Sequence, residues 1–232
     1  MNLADLRSQV MDANLRLVRD GLVVETFGNA SGIDRDHGLV AIKPSGVDYA
    51  QLRAGDLVIT DLDGTIVEGG LRPSSDLDTH LALYQAFPNI GGVVHTHSLH
   101  ATAWAQARRQ IPCFGTTHAD YFHGAIPVTD DMTPDEIAER YELNTGHVIA
   151  RRFTGLDPMR MQAVLVAGHA PFTWGKTPAA AAHNAFLLEE VARLAFMTVT
   201  INPETRPISA SLLDKHFMRK HGPKAYYGQP KT

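Results

Sequence analysis

Ile90-Gly91-Gly92-Val93-Val94-His95-Thr96-His97-Ser98 is the stretch on which the reading of this chain turns. Two glycines, an apolar run and no charge describe a short strand buried on both faces. Side chains on a strand alternate faces, so residues two apart point the same way. His95 and His97 would present two imidazoles together where the buried strand ends. Imidazole is the commonest metal ligand among side chains. The chain has 12 His, so spacing rather than number singles out this pair. A second apolar run, Ala163–Val166, leads into Ala167-Gly168-His169-Ala170-Pro171, where again a histidine sits at the exit of a strand. Asp76 opens a helix beside Ser74 and Ser75, a position where a carboxylate also offsets the helix dipole. Three imidazoles and a carboxylate would make a mixed N/O site that suits Zn2+, with Mn2+, Co2+ or Ni2+ able to substitute. Such a metal polarises a carbonyl when it keeps or gains an open position.

Outward from this stretch, helices alternate with short strands. Leu3, Leu6, Val10, Ala13 and Leu17 recur at spacings of three and four, one helical face, with Asn2 as candidate N-cap and Gly21 as candidate stop. Short apolar runs follow at Leu22–Val24, Leu39–Ile42, Leu57–Thr60 and Thr65–Glu68. The last two flank Leu62-Asp63-Gly64, and Asp-Gly between strands signals a hairpin. A helix from about Ser75 carries Leu77, Leu81, Tyr84 and Phe87 inward, with Ser75 and Asp78 spaced as a capping box and Pro88 as its end. Ser98 opens another helix, running to about Arg108. Thr133-Pro134-Asp135-Glu136 is a helix start, with N-cap, first-position Pro and Glu at the third position. Thr177-Pro178 opens a long helix, and a last one spans about Ser211–Lys220. The hairpin interrupts this alternation, so the class is α/β with a mixed sheet, three-layered, in one domain over residues 1–232.

Three small-residue segments have the makings of an anion site. They are Gly28-Asn29-Ala30-Ser31, Lys43-Pro44-Ser45-Gly46, and Pro73-Ser74-Ser75 at a helix entry. Free backbone N–H groups at such turns and helix starts attract phosphate. None is a Walker loop or a dinucleotide fingerprint. Lys43 adds a positive charge, read by default as a solvated surface residue.

The composition, 44% hydrophobic and 20% charged, is that of a globular domain, and the net charge of −4 argues against nucleic acid as partner. No apolar run reaches ~18 residues, so no membrane partner is expected. The first residues lack the basic-then-apolar order of a signal peptide. A single Cys excludes an internal disulfide and a Cys-rich zinc module. A cytoplasmic enzyme or binding domain fits these facts.

The motifs Gly28-Asn29-Ala30-Ser31, Lys43-Pro44-Ser45-Gly46-Val47, Pro73-Ser74-Ser75-Asp76, His95-Thr96-His97-Ser98 and His169-Ala170-Pro171-Phe172 occur in an order and spacing that resemble the class II aldolase/epimerase family. The resemblance runs from Gln9 to Gln229. Gly115–Phe122 and the tail Leu213-Asp214-Lys215-His216 to Lys224-Ala225-Tyr226-Tyr227-Gly228-Gln229 resemble its epimerase branch. The resemblance implies a central, mostly antiparallel sheet between helical layers, and a homotetramer with active sites at subunit interfaces. It implies metal ligation by Asp76, His95, His97 and His169, with one divalent cation, Zn2+ foremost, per subunit. Phosphate contacts would come from Gly28, Asn29, Ser45, Gly46, Ser74 and Ser75, with Lys43 alongside. Asp120 and, from the adjacent subunit, Tyr227 would be the acid/base pair. His216 and Arg219 would also reach across the interface, and Thr116 would support the site. One departure is Ala167-Gly168, where relatives often carry a further His before the third ligand.

The activity so implied is interconversion of L-ribulose 5-phosphate and D-xylulose 5-phosphate, as in arabinose breakdown. The C4 proton is not adjacent to the C2 ketone and is not acidic, so simple deprotonation and reprotonation cannot invert C4, whereas breaking and remaking the C3–C4 bond can. Two alternatives stand beside this. One is a class II aldolase of the L-fuculose 1-phosphate type that releases dihydroxyacetone phosphate; Asp at position 76, where those aldolases typically have a Glu base, weighs against it. The other is a non-catalytic, adducin-head-like interaction domain, which should have an eroded ligand set.

Overall fold

The computed structural model describes residues 2–229. Asn2 caps the first helix, its side chain accepting the Asp5 N–H at 2.8 Å. That helix, α1 (Leu3–Arg19), buries Leu6, Val10, Ala13 and Leu17, the face expected from their spacing. Gly21 turns the chain with φ +69°. Two hairpins follow, β1 (Asn29–Asp34) with β2 (Leu39–Ile42) and β3 (Val58–Asp61) with β4 (Ile66–Glu68). Then come α2 (Leu77–Ala86), β5 (Gly92–His95), α3 (Leu99–Gln106), α4 (Thr116–Ala119), α5 (Pro134–Ala138) and α6 (Tyr141–Arg152). The chain ends through β6 (Ala163–Leu165), β7 (Pro171–Gly175), α7 (Pro178–Ile201) and α8 (Ala210–His221).

The seven strands form one sheet in the order β4-β3-β2-β1-β5-β7-β6, and every neighbouring pair is antiparallel. One face packs on α1 and the first half of α7 through Ala30 and Val94. The other packs on α2 and α6 through Ile33, Val40, Val58 and Val93. This is the three-layer α/β/α arrangement expected from the sequence. The start of α7 lies directly on the sheet because Gly32, Gly92 and Gly175 stand side by side across β1, β5 and β7. A Cβ at these positions would come within 2.6, 2.5 and 2.7 Å of Pro178 and Ala180. No side chain fits there without moving the helix.

Three local expectations differ from the structure. Leu22–Val24 is not a strand; buried Leu22 instead closes the end of α1, its N–H bonding the Leu17 carbonyl at 2.9 Å. The strand lies later, at β1, where Asn-Ala-Ser-Gly-Ile-Asp has no apolar run yet is buried throughout. The capping box at Ser75 and Asp78 does not form. Asp76 is the N-cap of α2 and makes no capping bond there, because its carboxylate is engaged by Asn29. Among the described residues no helix is long and apolar enough to cross a membrane.

Two core histidines make the fold pH-sensitive. Burial holds His80 down to about 3 and His118 to about 4. Unfolding returns each ring to its ordinary value near 6.5, so the unfolded state takes up protons below that pH. The contribution of these two rings is complete above about pH 6.5 and falls as pH drops toward 4. Urea unfolding of metal-free protein should lose on the order of 2 kcal/mol per ring between pH 7.5 and pH 5. A midpoint that does not move over that interval would refute the neutral, buried state of these rings.

Candidate metal and anion site

Three imidazoles meet at one end of the central strands. His95 closes β5, His97 follows it after one residue, and His169 sits in the turn between β6 and β7. One ring nitrogen from each lies within 4.8 Å of the others. Two of the remaining ring nitrogens are tied down. His95 Nδ1 donates to the Pro171 carbonyl at 3.0 Å, and His169 Nδ1 lies 3.3 Å from the Tyr141 hydroxyl. His95 Nε2 and His97 Nε2 face each other at 3.1 Å. Phe172 stacks on His95 at 4.2 Å between centroids and fixes its plane. Burial, reinforced by the neighbouring His95, holds His97 below its usual value and His169 down to about 4. Neutral rings with oriented lone pairs are what a borderline-soft divalent cation needs. The donor set therefore fits a divalent metal.

Asp76 lines the same cavity, of about 380 Å³, without joining the tight nitrogen cluster. The Asn29 amide donates to its Oδ2 at 2.6 Å and to Ser74 Oγ at 3.0 Å. Burial works to raise the Asp76 carboxyl, but His95, His80 and the Asn29 amide outweigh it and hold it below the usual range. Asp76 is thus a carboxylate facing the imidazoles.

All the small-residue loops named from sequence border this cavity. Gly28, Asn29, Lys43, Ser45, Gly46, Ser74 and Ser75 line it together with the histidines. Two of the loops are laced to each other: the Ser45 N–H donates to the Arg72 carbonyl and the Ser74 N–H to the Lys43 carbonyl, both at 3.0 Å. Lys43 differs from its default reading. It is 2% exposed, with its ammonium 4.6 Å from the centre of the Tyr49 ring and 3.4 Å from the Pro44 carbonyl. Burial lowers its pKa, while Asp48 partly compensates. Gly168, the departure noted beside His169, has φ +70°, and the Arg108 guanidinium sits where a side chain would begin. A residue with a Cβ would be strained there.

Asp120 and the tail form a second group. Within one chain Asp120 accepts a two-pronged ion pair from Arg219, at 3.0 and 2.7 Å, and a contact from His216 at 3.0 Å. His216 and Arg219 thus both contact the Asp120 of their own chain. The reason is local: α8 folds back onto α4, and His221 donates to the Asp120 carbonyl at 2.8 Å. Tyr227 joins the same group. Its N–H bonds the Arg219 carbonyl at 3.1 Å, and its ring lies beside the Arg219 and Lys220 cations. Thr116 accepts the Asp120 N–H on its carbonyl at 2.9 Å and so shapes this group. Burial pushes the Asp120 carboxyl up, yet Arg219 and His216 prevail and keep it below the usual range. Neither Asp120 nor Tyr227 lines the histidine cavity of its own chain.

Comparison with known proteins identifies the lineage. Residues 8–196 match the family model described as Class II Aldolase and Adducin N-terminal domain. The chain belongs to the class II aldolase and adducin family. Within that family it is 56% identical, over 97% of its own length and 98% of the relative's, to the L-ribulose-5-phosphate 4-epimerase UlaF of Salmonella paratyphi C. Among solved structures of the class II aldolase fold, L-fuculose 1-phosphate aldolase aligns with TM-score 0.78 at 24% identity, over 91% of this chain and 94% of that one. YgbL from Klebsiella pneumoniae aligns with TM-score 0.74 at 28% identity, over 93% and 99%.

Among the lining residues of this family member that escaped the sequence reading are Tyr141 and Glu142. They are brought in by Arg140, whose left-handed backbone (φ 52°) breaks the chain between α5 and α6. Only the adjacency of Glu139-Arg140 to a helix start hinted at that break. The purified protein should hold a stoichiometric divalent transition metal, and His97→Asn or His169→Asn should lose most of it. Inductively coupled plasma mass spectrometry checks both, and a folded, metal-free wild type after metal loading would rule out this grouping.

Proposed function

We propose that this chain interconverts L-ribulose 5-phosphate and D-xylulose 5-phosphate by opening and re-forming the C3–C4 bond. The observation that carries this reading is the meeting of His95, His97, His169 and Asp76 with a phosphate-sized cradle in one cavity. The 56% identity to a protein named for that reaction, over nearly both full lengths, supports it. The family and the histidine set indicate a divalent cation; Zn2+ is the proposed one, held by the three histidines and Asp76. When bound, it supplies Lewis acidity toward the negative charge that develops on the ketone half.

The chain's own groups do the rest. The Ser45, Gly46, Ser74 and Ser75 loops, with buried Lys43 beside them, bind the phosphate and hold the two-carbon aldehyde fragment. Loss of the C4 hydroxyl proton accompanies cleavage to a dihydroxyacetone enediolate and glycolaldehyde phosphate. Rotation of the tethered aldehyde exposes its other face. Re-addition and return of a proton to the new hydroxyl complete the inversion, with nothing lost or gained. Retaining both fragments keeps the return step effectively unimolecular. Asp120 and Tyr227 are the proposed proton carriers, one for each face.

Because Asp120 and Tyr227 lie outside their own chain's cavity, the reading requires that another copy present them. We propose a homotetramer in which this group meets a neighbour's histidine cavity, in a cytoplasmic enzyme. Exposed apolar side chains at Leu99, Phe196, Met197 and Ile201 on α3 and α7 support association of copies.

Incubation of the zinc-loaded protein with L-ribulose 5-phosphate should give D-xylulose 5-phosphate and no free fragments, read by stereochemical product analysis. Free fragments in place of the diastereomer would make it an aldolase. Tyr227→Phe or Asp120→Asn should lower turnover by roughly 10²–10⁴-fold, the range for a lost acid/base group. Mixed tetramers of Tyr227→Phe with His97→Asn should regain activity, since intact cavities then meet intact tails. No recovery on mixing would place both groups in one chain's site.

A further inference from the structure

His80 has no role in the reaction outlined above, yet it is one of the buried polar groups among the described residues with an atom left unpartnered. It is fully buried on α2, one helical turn beyond Asp76 and one before Tyr84. Residues at this spacing share one helix face, and here that face lies on β1. Tyr84 Oη is 2.8 Å from Ser31 Oγ, and Ser31 Oγ is 2.7 Å from His80 Nδ1. All three side chains are closed to solvent. His80 Nε2, the other ring nitrogen, is buried without a hydrogen-bond partner. Unpaired buried polar atoms are rare and call for a reason. The His80 ring also stands edge-on to Phe172, 6.2 Å between centroids, and Phe172 is the ring stacked on His95.

A neutral imidazole carries one proton, and which nitrogen holds it follows from what the other nitrogen accepts. If Tyr84 donates to Ser31 and Ser31 donates to Nδ1, the proton must sit on Nε2. The nearby Asp76 carboxylate, whose charge acts on this ring, favours that arrangement over a bare lone pair. We propose that the buried Tyr84–Ser31–His80 relay makes His80 a positioning residue for the metal site: it keeps the ring proton on Nε2 and, through Phe172, keeps the His95 ring in its plane. Groups behind metal ligands orient them in this way and commonly tune affinity by about 10–100-fold. The inference deepens the proposed metal-dependent reading and rests on it.

The test uses the full-length protein and cobalt(II), with affinity measured by chelator competition and the cobalt absorption spectrum. A Gln side chain sets an amide N–H near the place of Nε2, whereas Asn keeps a polar group only near Nδ1. His80→Gln should bind cobalt within a few-fold of wild type, and His80→Asn should bind about 10–100-fold more weakly. Ser31→Ala, which leaves the ring in place but removes its lock, should also weaken binding and alter the cobalt spectrum. It decides the matter should either His80 variant fail to fold, as judged by thermal unfolding of the metal-free protein. Wild-type affinity in His80→Asn or Ser31→Ala overturns the assignment, as does a His80→Gln variant no better than His80→Asn. A wild type that folds but takes up no cobalt brings down the metal reading itself, and this inference with it.

Discussion

The register of β1 against β5 is the constraint on which the site depends. Asn29 pairs with His95 and Ser31 with Val93. Because side chains alternate, this one alignment sets Asn29, Ser31, Val93 and His95 on the face that receives α2. Asn29 then grips Asp76 from the start of that helix, and Ser31 meets His80 and Tyr84 further along it. β7 continues the same face, with Phe172 opposite His95 and Trp174 opposite Val93. A slip of one residue would turn His95 toward α1 and α7 and leave Asp76 facing apolar side chains. The glycines at 32, 92 and 175 guard the alignment from behind, since only that row of strand positions lets α7 approach.

Much of this was readable in the chain, and the failures have physical causes. Periodic helices with explicit caps, α1 and α7 above all, declare themselves because a caps-and-stripe pattern has few alternative structures. The β5 strand and its two histidines were legible for a similar reason, as an uncharged apolar run ending in a His-x-His pair. β1 was not, because a strand buried by close backbone packing needs small residues rather than large apolar ones. Lys43 was misread because a lone Lys carries no local sign of burial; only the folded Tyr49 ring and the Pro44 carbonyl receive it. Tyr141 and Glu142 reach the cavity through a left-handed residue that is not glycine, a backbone choice no side-chain pattern announces. His216 and Arg219 were named as site residues, but their hold on Asp120 within the chain was not legible. Sequence order shows that a tail exists and does not show which way it folds.

The Asp120 group illustrates why a cluster of charges differs from an isolated pair. Arg219 engages both carboxylate oxygens, His216 adds a third contact, and Lys220 lies 3.6 Å away between the rings of Tyr121 and Tyr227. Each partner restricts the next, so the ordering of long side chains is shared among several interactions. The result is a rigid, cation-rich patch around one anion and one exposed phenol, poised at the surface of the chain and away from its own imidazoles.

Lys43 has a thermodynamic consequence. Its ammonium is withdrawn from water and rests against an aromatic face and a carbonyl, with a carboxylate acting on it only from a distance. That position is uncomfortable for a lone cation and becomes favourable when a counter-ion settles beside it. With the proposed phosphate beside Lys43, ligand occupancy and the cohesion of the first hairpins would form one linked equilibrium, the anion lending support where the cation alone costs stability.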